Sequence, residues 1–229
     1  MSAVFVTGTG TGIGKTFVSS ALIRHLRNAG HPVHAIKPVV SGFNEASWQE
    51  SDPAVLLAAL GRPVTLQEIE LLSPWRFVAP LSPDIAARRE GRAIAFPELI
   101  EFCRNTARSA PRTLLIEGIG GVMVPLDDHR TVLDWMSVLR VPIVLVTGTY
   151  VGTISHTLTS LEVLARRNLD IAAVAVSESE RSAASLVDTM TAIERFADAI
   201  PMVGIPRLVA GASDHPAVAN LAESVISNR

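Results

Sequence analysis

Short apolar runs recur along the chain and alternate with segments of helical periodicity. Each run has four to seven residues and is rich in Val, Ile, Leu and Ala. Runs of this length and composition are typical of strands that are buried on both faces. The predicted strands are Ala3–Thr7, Val33–Pro38, Thr113–Glu117, Pro142–Thr147, Ile171–Ser177 and Met202–Ile205.

Most of the intervening segments place apolar residues three or four positions apart, which indicates amphipathic helices. In the first segment, Val18, Leu22 and Leu26 fall on one face. Proline is well suited to the first helical position, and Pro97 marks such a start. The predicted helices are Lys15–Ala29, Glu98–Ala110, Thr153–Arg167 and Ala183–Ala197.

Alternating strands and helices imply right-handed crossovers. The predicted fold class is therefore α/β, with a doubly wound, mostly parallel sheet and helices on both faces. The sequence has no repeat, low-complexity linker or shift in composition, so we expect a single domain over residues 1–229. Residues 61–95 are the least regular stretch and are predicted to be a loop-rich excursion from that domain.

The amino-acid composition indicates which cellular compartment and which classes of partner to expect. Hydrophobic residues make up 48% and aromatic residues 5%, which indicates an aliphatic core. A net charge of −2 without a basic stripe argues against nucleic acid as a partner. The single cysteine cannot form an internal disulfide, and we find neither a signal-like start nor an apolar run of spanning length. We therefore expect a cytoplasmic protein with no membrane partner.

A glycine-rich loop, GTGTGIG, separates the first strand from the first helix. Ligands of parallel sheets bind at the carboxyl ends of the strands, and glycines let backbone N–H groups turn toward an anion. The helix adds its positive N-terminal end. Lys15 supplies a charge for the outer phosphates, and the Thr16 hydroxyl can ligate Mg²⁺. The loop predicts a nucleoside triphosphate site of the P-loop NTPase kind.

The glycine spacing departs from the standard phosphate-loop pattern, which has four residues between its glycines. Thr9 stands where the first glycine is expected, and the loop instead runs from Gly8 through five residues to Gly14. A glycine-rich turn without a ligand is the alternative interpretation. The preceding strand, the following helix and the intact Gly-Lys-Thr triplet favour the nucleotide.

Residues near the ends of other predicted strands are candidates for binding a metal ion or a ligand. Glu117 ends an apolar strand and is followed by glycines, which favours a metal ligand over a solvent-facing carboxylate. Asp52 precedes Pro53, and this spacing alone favours a helix cap, a role compatible with ligation. Lys37 lies at another strand end, where a ligand-facing and an exposed side chain are equally expected. His156, at a predicted helix start, stays unassigned.

Several stretches together resemble the dethiobiotin synthetases of biotin biosynthesis. The resemblance runs from the N-terminus to about residue 180 and weakens beyond it. The family shares the unusual glycine spacing of the loop. The matching stretches are FVTGTGTGIGKT, IKPVVSG, SD at residues 51–52, LSPDIAARREGR, LLIEGIGGVMVPL and VGTISHTLTSLEVL.

The resemblance implies a ligase that uses MgATP, CO₂ (or bicarbonate) and 7,8-diaminopelargonate. One amine captures CO₂ as a carbamate, the carbamate is phosphorylated, and the second amine closes a cyclic urea. Lys15 and Lys37 would be catalytic, and Thr16, Asp52 and Glu117 would hold Mg²⁺. The turn Val151–Ser155 would reach the substrate tail in a neighbouring subunit, which implies a homodimer with a shared active site.

The resemblance also implies the full set of binding residues. Those expected to contact the nucleotide are Gly12, Ile13, Gly14, Lys15, Thr16, Phe17, Asp52, Glu117, Gly118, Ile119, Gly120, Ser177, Pro206, Arg207 and Leu208. Those expected to contact the substrate are Thr11, Lys37, Ser41, Val151, Gly152, Thr153, Ile154 and Ser155.

One position departs from the family pattern. The strand Ile171–Ser177 ends in Ser177, where the resemblance implies an Asn. An Asn amide can make a two-point contact with adenine, whereas a serine hydroxyl cannot. We therefore expect a relaxed preference for the base.

Two other classes share parts of the pattern. ParA-like ATPase switches have a similar phosphate loop, but the net charge and the Lys37–Ser41 stretch disfavour them. Glutamine-dependent amidotransferases need a further glutaminase domain, for which this chain leaves no room.

Overall fold

The computed structural model describes residues 2–110, 112–182, 184–197, 200–207 and 215–227. Its strands are β1 (Ser2–Gly8), β2 (Val33–Ile36), β3 (Val39–Ser41), β4 (Trp75–Phe77), β5 (Thr113–Glu117), β6 (Ile143–Thr147), β7 (Ile171–Ser177) and β8 (Met202–Ile205). Its helices are α1 (Lys15–Asn28), α2 (Asp52–Leu60), α3 (Leu66–Leu72), α4 (Pro83–Arg89), α5 (Phe96–Ser109), α6 (Val132–Leu139), α7 (Thr153–Arg166), α8 (Leu186–Glu194) and α9 (Pro216–Ser227), with a short 3₁₀ turn at Trp48–Glu50.

The main sheet has six strands in the order β2-β5-β1-β6-β7-β8, and every described pairing in it is parallel. A second, two-stranded parallel sheet joins β3 to β4. The predicted α/β class with a parallel, doubly wound sheet is confirmed. All six predicted strands belong to the main sheet.

Both faces of the main sheet are buried, which explains why its strands are apolar throughout. Along β1, Val4 and Val6 pack on one face with α1, α2 and α9, and Phe5 packs on the other with α5, α6 and α7. Phe5 meets the fully buried Trp135 edge to face, with the ring centroids 4.8 Å apart. Alternating side chains of each strand therefore contribute to two separate aliphatic cores.

The connections after the central strands diverge, and this divergence opens a crevice. The chain leaves β1 for α1 on one face, whereas it leaves β5 and β6 for α6 and α7 on the other. Because β1 lies between β5 and β6, the loops after these strands part above the carboxyl edge of the sheet. Crevices of this kind are where ligands bind in α/β folds.

Three predicted boundaries need correction. The strand predicted as Val33–Pro38 ends at Ile36 because Pro38 has no N–H for the ladder, and the chain then pairs as β3 with β4. Residues 61–95 are about half loop and also contain α3, β4 and α4, which are not predicted because they are too short for a clear periodicity. The fourth predicted helix begins at Leu186 and ends at Glu194, and the predicted start at residue 183 lies outside the described residues.

In the part of the chain that the structure describes, we find no helix with the length and apolar character needed to cross a membrane.

Candidate active site

The glycine-rich loop forms the predicted strand–loop–helix arrangement at the end of β1. Gly12 and Gly14 have φ of +73° and +95°, a region that L side chains rarely adopt. Gly8 is required for a different reason: a Cβ there would lie 2.4 Å from Cδ1 of Ile13 and 3.1 Å from the carbonyl oxygen of Val146. The glycines therefore allow a tightly curved loop that is packed directly on β6.

Thr9, which replaces the first glycine of the standard pattern, turns its side chain away from the crevice. Its Oγ1 lies 3.2 Å from Thr147 Oγ1 and 3.1 Å from the Tyr150 hydroxyl. Its backbone N–H donates to Val146 O at 3.0 Å. A side chain is therefore compatible with this position because it points toward the end of β6.

Lys15 is buried and its ammonium group lies within the loop. Nζ donates to Gly10 O at 2.6 Å and to Gly120 O at 2.7 Å. Burial, together with the nearby charge of Lys37, lowers the pKa of Lys15 to about 8 despite the opposing carboxylates of Glu117 and Asp52. A polyanion beside this group would favour its charged form.

A buried charge cluster lies beside the loop, at the carboxyl ends of β5 and β2. Glu117 is 1% exposed, and its Oε1 accepts from Lys37 Nζ at 2.5 Å and from Thr16 Oγ1 at 2.7 Å. Lys37 Nζ also lies 2.9 Å from Asp52 Oδ2. Glu117 Oε2 is buried without a hydrogen-bond partner, so this carboxylate has an unused acceptor.

The two lysines respond to their surroundings in opposite directions. Burial by itself would lower the pKa of Lys37, but the carboxylates of Glu117 and Asp52 outweigh it, and the pKa is raised. Burial would raise the pKa of Asp52, yet the Lys37 ammonium outweighs that effect, and the pKa is lowered. Lys37 contacts carboxylates whereas Lys15 contacts carbonyl oxygens, which accounts for the difference.

Lys37 is held by residues that sequence reasoning did not identify. Ser73, which is fully buried, donates from Oγ to Lys37 O at 2.6 Å. Trp75 N donates to Pro38 O at 3.0 Å. These two bonds fix the backbone directly after Lys37, and the small second sheet thereby helps to orient this side chain. Of the two equally expected orientations, the exposed one is wrong.

The preference for Asp52 as a helix cap is also wrong. The N-cap of α2 is Ser51, and Asp52 is the first helical residue, followed by Pro53. Its side chain is half exposed and bonds to Lys37. The helix start thus places a carboxylate at the crevice, where it takes part in the charge cluster.

A cavity of about 880 Å³ opens above the charge cluster. It brings together eleven of the residues singled out from the sequence: Thr11, Gly12, Gly14, Lys15, Thr16, Phe17, Lys37, Ser41, Asp52, Ile119 and Gly120. Pro80–Pro83 and Val124 also line the cavity; the sequence assigns them no role, although part of this segment belongs to the family-like stretch LSPDIAARREGR. Glu117 lies buried beside it, and Gly118 serves packing, since a Cβ there would lie 2.8 Å from the Phe5 ring.

Lysine usage is a signal in the sequence that points to this cavity. The chain contains only two lysines, Lys15 and Lys37, among its 20 basic Lys and Arg residues. Both are buried at the crevice, and the remaining cations are arginines. An ammonium is a compact point charge on a flexible stem, and its pKa shifts readily when it is buried.

A second cavity, of about 470 Å³, continues from the loop toward the end of β7. It brings together Gly12, Ile13, Gly14, Phe17, Ser177, Pro206 and Arg207, whereas Leu208 lies outside the described residues. A Cβ on Gly14 would be 2.9 Å from Ser177 Oγ, so these two residues are in close contact. Glu178 Oε2 accepts from Arg207 N at 3.0 Å and joins the two walls.

The remaining predicted residues line a third cavity, of about 630 Å³, at the start of α7. They are Val151, Gly152, Thr153, Ile154 and Ser155. This cavity shares no lining residue with the first, so the structure does not bring these residues together with the loop. Val151 is 82% exposed, which leaves an apolar side chain open at this surface.

Replacing Glu117 by Gln is expected to lower the free energy of unfolding by about 3–5 kcal/mol, because it leaves the Lys37 charge buried beside a single half-exposed carboxylate. Asp52→Asn is the matched control and should cost only about 1 kcal/mol. Urea denaturation measures both. The double variant Lys37→Met/Glu117→Gln should recover part of the loss, and equal costs for the two single variants would contradict this account.

The chain is similar in sequence to several proteins that carry a functional name. The chain is 50% identical over 184 residues to the ATP-dependent dethiobiotin synthetase BioD of Methylobacterium nodulans, covering 78% of this chain and 82% of that protein. It is 44% identical over 202 residues to the BioD of Acidiphilium cryptum, covering 88% and 91%. The BioD of Caulobacter vibrioides is 47% identical over 208 residues, covering 90% and 93%.

Solved structures show a similar fold at low identity. The cell division ATPase MinD of Pyrococcus furiosus superimposes with a TM-score of 0.55 at 15% identity, covering all of both chains. MinD of Pyrococcus horikoshii gives 0.56 at 17% identity, covering 98% of this chain and 95% of that one. These likenesses confirm the P-loop NTPase fold and carry no more than that.

A family model described as an AAA domain matches residues 2–209. The identities of 44–50% extend over most of the chain and over most of each relative. The chain belongs to the ATP-dependent dethiobiotin synthetase family.

Proposed function

We propose that the protein forms dethiobiotin from 7,8-diaminopelargonate, CO₂ and ATP. The observation that carries this proposal is the juxtaposition of a phosphate loop with a second buried lysine. Lys15 and Lys37 are both in the 880 Å³ cavity, and Lys37 lies on a different strand end from the loop. A simple nucleotide switch has no need of this second cation, which suits a carboxylated substrate.

The proposed reaction has three steps. A substrate amine attacks CO₂, a C–N bond forms, and loss of a proton gives a carbamate. A carbamate oxygen then attacks the γ-phosphorus of ATP, and ADP leaves. The second amine attacks the carbonyl carbon of this carbamic–phosphoric anhydride, phosphate leaves, a proton is lost, and the cyclic urea closes. Phosphoryl transfer of this kind depends mainly on positioning and on neutralising charge.

The chain's own residues would divide this work. Lys15 would hold the outer phosphates, and its low pKa would rise toward the usual lysine range once a polyanion lies beside it. Lys37 would neutralise the carbamate and the anhydride. Thr11 and Ser41, which line the same cavity, would hydrogen-bond the diamine.

Mg²⁺ fits the donors that are present. The Thr16 hydroxyl and the carboxylates of Asp52 and Glu117 are hard oxygen ligands of the kind that Mg²⁺ prefers, and Glu117 Oε2 has no partner. No group of three or more His, Cys, Asp or Glu side chains among the described residues could hold a metal alone. We therefore propose that phosphate oxygens complete the site. When bound, Mg²⁺ would neutralise charge on the phosphates.

The base would lie in the second cavity, against Ser177, Pro206 and Arg207. The Ser177 hydroxyl is too short for the two-point contact that an Asn amide can make with adenine. The hydroxyl of Ser179 on the same wall accepts from Thr149 N at 3.0 Å, and Ser179 N donates to Thr149 Oγ1 at 2.9 Å, so this residue is held against Thr149. We propose that this cavity discriminates weakly among bases, while the loop supplies most of the affinity.

The substrate tail would be bound across a dimer interface. Val151–Ser155 lines a cavity separate from Lys37 in the same chain. A second copy that brings this exposed turn to the first cavity would unite the two sets of residues. We therefore propose a homodimer with a shared active site.

A ParA-like ATPase switch is the second candidate, and the MinD likeness shows only the shared fold. The relatives of 44–50% identity favour the ligase. Mass spectrometry of the products from diaminopelargonate, bicarbonate and MgATP tests the proposal directly. Formation of dethiobiotin supports it, and ATP hydrolysis without that product contradicts it.

Lys37→Ala is expected to abolish most product formation while sparing MgATP binding, because Lys37 lies on a different strand end from the phosphate loop. Calorimetry with MgATP and mass spectrometry of the product measure the two effects. Arg24→Met, which removes a cation of α1 that lines none of the three cavities, is the control. A loss of nucleotide affinity that matches the loss of product would place Lys37 on ATP.

CTP and GTP are expected to support turnover with kcat/KM within roughly 5- to 150-fold of ATP, since a two-point base contact contributes ~1–3 kcal/mol. Ser177→Asn should widen the preference for ATP. The measurement is kcat/KM for ATP, CTP, GTP and UTP with each protein. If Ser177→Asn leaves the ratios unchanged, Ser177 does not read the base.

Light scattering at micromolar concentration should give twice the 24.4 kDa mass of the chain. An apolar side chain as exposed as Val151 is stabilised by burial at such an interface. Val151→Asp should weaken the dimer and raise KM for the diamine, because it places a charge at the contact. An active monomer would remove the role proposed for Val151–Ser155.

A further inference from the structure

A continuous chain of hydroxyl groups joins the phosphate loop to the start of α7. We call Tyr150, Thr9, Thr147, Thr153 and Thr157 the hydroxyl chain. Thr9 Oγ1 lies 3.1 Å from the Tyr150 hydroxyl and 3.2 Å from Thr147 Oγ1. Thr147 Oγ1 lies 2.8 Å from Oγ1 of both Thr153 and Thr157.

The inner end of the hydroxyl chain is fixed by two backbone carbonyls. The Thr153 hydroxyl donates to Gly148 O at 2.8 Å, and the Thr157 hydroxyl donates to Thr153 O at 2.7 Å. A hydroxyl has one proton, so both of these threonines can only accept from Thr147. Thr147 also has a single proton, so it donates to one of these two threonines and accepts from Thr9.

The outer end of the hydroxyl chain then determines a histidine tautomer. Because Thr9 donates to Thr147, Tyr150 must donate to Thr9. Tyr150 has no second proton, yet its hydroxyl lies 3.0 Å from Nδ1 of His156. Nδ1 must therefore carry the proton and donate to Tyr150. If Nδ1 instead accepted from Tyr150, a second contact of the hydroxyl chain would lack a proton, in addition to one of the two contacts of Thr147.

We propose that Tyr150 and His156 are positioning residues of the ATP site. With the Nδ1–H of His156 as the first donor, the hydrogen bonds run in one direction, from the surface through Tyr150 and Thr9 to Thr147 and one of the buried threonines. This fixed direction holds the Thr9 side chain against β6 and out of the 880 Å³ cavity, whose described lining does not include Thr9. A residue other than glycine can then occupy this position of the loop.

The inference does not depend on the diamine reaction, since it concerns the nucleotide loop and one hydrogen-bond chain. It explains why a threonine can occupy position 9 of the loop and gives Tyr150 and His156 a shared role in holding it. The half-exposed Tyr150 ring also packs against His156, with the centroids 5.7 Å apart, so the contact involves the two rings as well as their polar atoms.

Nitrogen-15 NMR of the ligand-free protein at about pH 8.5 tests the tautomer of the His156 ring. The chain has six histidines, and the signal absent from His156→Asn identifies His156. We expect a protonated Nδ1 and an unprotonated Nε2. In Tyr150→Phe, which removes the acceptor, the ring should revert toward the Nε2–H tautomer that free histidine prefers.

Calorimetric titration with MgATP tests the positioning role without the other substrates. Tyr150→Phe should weaken binding by about threefold to tenfold, the range for one net hydrogen bond. His156→Leu should behave like Tyr150→Phe, whereas His156→Asn, which keeps an N–H near the position of Nδ1, should stay close to the parent. Ser160→Ala removes a hydroxyl bonded to His156 O on the same helix and is the matched control.

The outcomes decide the proposal. An Nε2–H tautomer in the parent, or a tautomer that Tyr150→Phe leaves unchanged, overturns the assigned direction. Equal MgATP affinity in the parent and Tyr150→Phe overturns the positioning role. If His156→Asn loses as much affinity as His156→Leu, the donated proton is not what matters, and the positioning role of His156 is wrong.

Discussion

The buried contact between Glu117 and Lys37 is the constraint on which the site depends. A carboxylate with 1% exposure is stable only beside a compensating charge and further hydrogen bonds. The fold provides them from three places: Lys37 after β2, Thr16 in α1 and Asp52, through Lys37, at the start of α2. Any displacement of these elements would leave a charge buried without a partner, so the pair ties the phosphate loop to the edge of the sheet.

This arrangement explains the odd connection between β2 and β3. Pro38 ends pairing with the main sheet, and the chain turns away to pair with β4 instead. Ser73 and Trp75 then bind the carbonyl oxygens of Lys37 and Pro38, the two residues between β2 and β3. A lysine within a regular strand would point to one face of the sheet and enter one of the aliphatic cores. A lysine at a fixed break between strands can instead reach the crevice.

The groups around Lys37 and Lys15 differ in charge, and this difference separates the roles proposed for the two lysines. Lys37 is held as a cation by carboxylates, which raise its pKa. Lys15 donates to two carbonyl oxygens and has a pKa of about 8, so a bound polyanion would change its surroundings most. None of the described arginines lines the first cavity, and several form exposed ion pairs that contribute little to stability.

The sequence by itself determined the fold class, the loop and its family. Buried parallel strands leave continuous apolar runs, and the loop's glycines and Gly-Lys-Thr triplet are consecutive in the chain, so local pattern was sufficient. Only the tertiary structure decided the orientation of Lys37, the role of Asp52 and the wall at Pro80–Pro83. It also decided that Thr9 meets Tyr150, 141 positions away. These features depend on contacts between distant segments, and neither propensity nor periodicity carries information about which strand ends will meet.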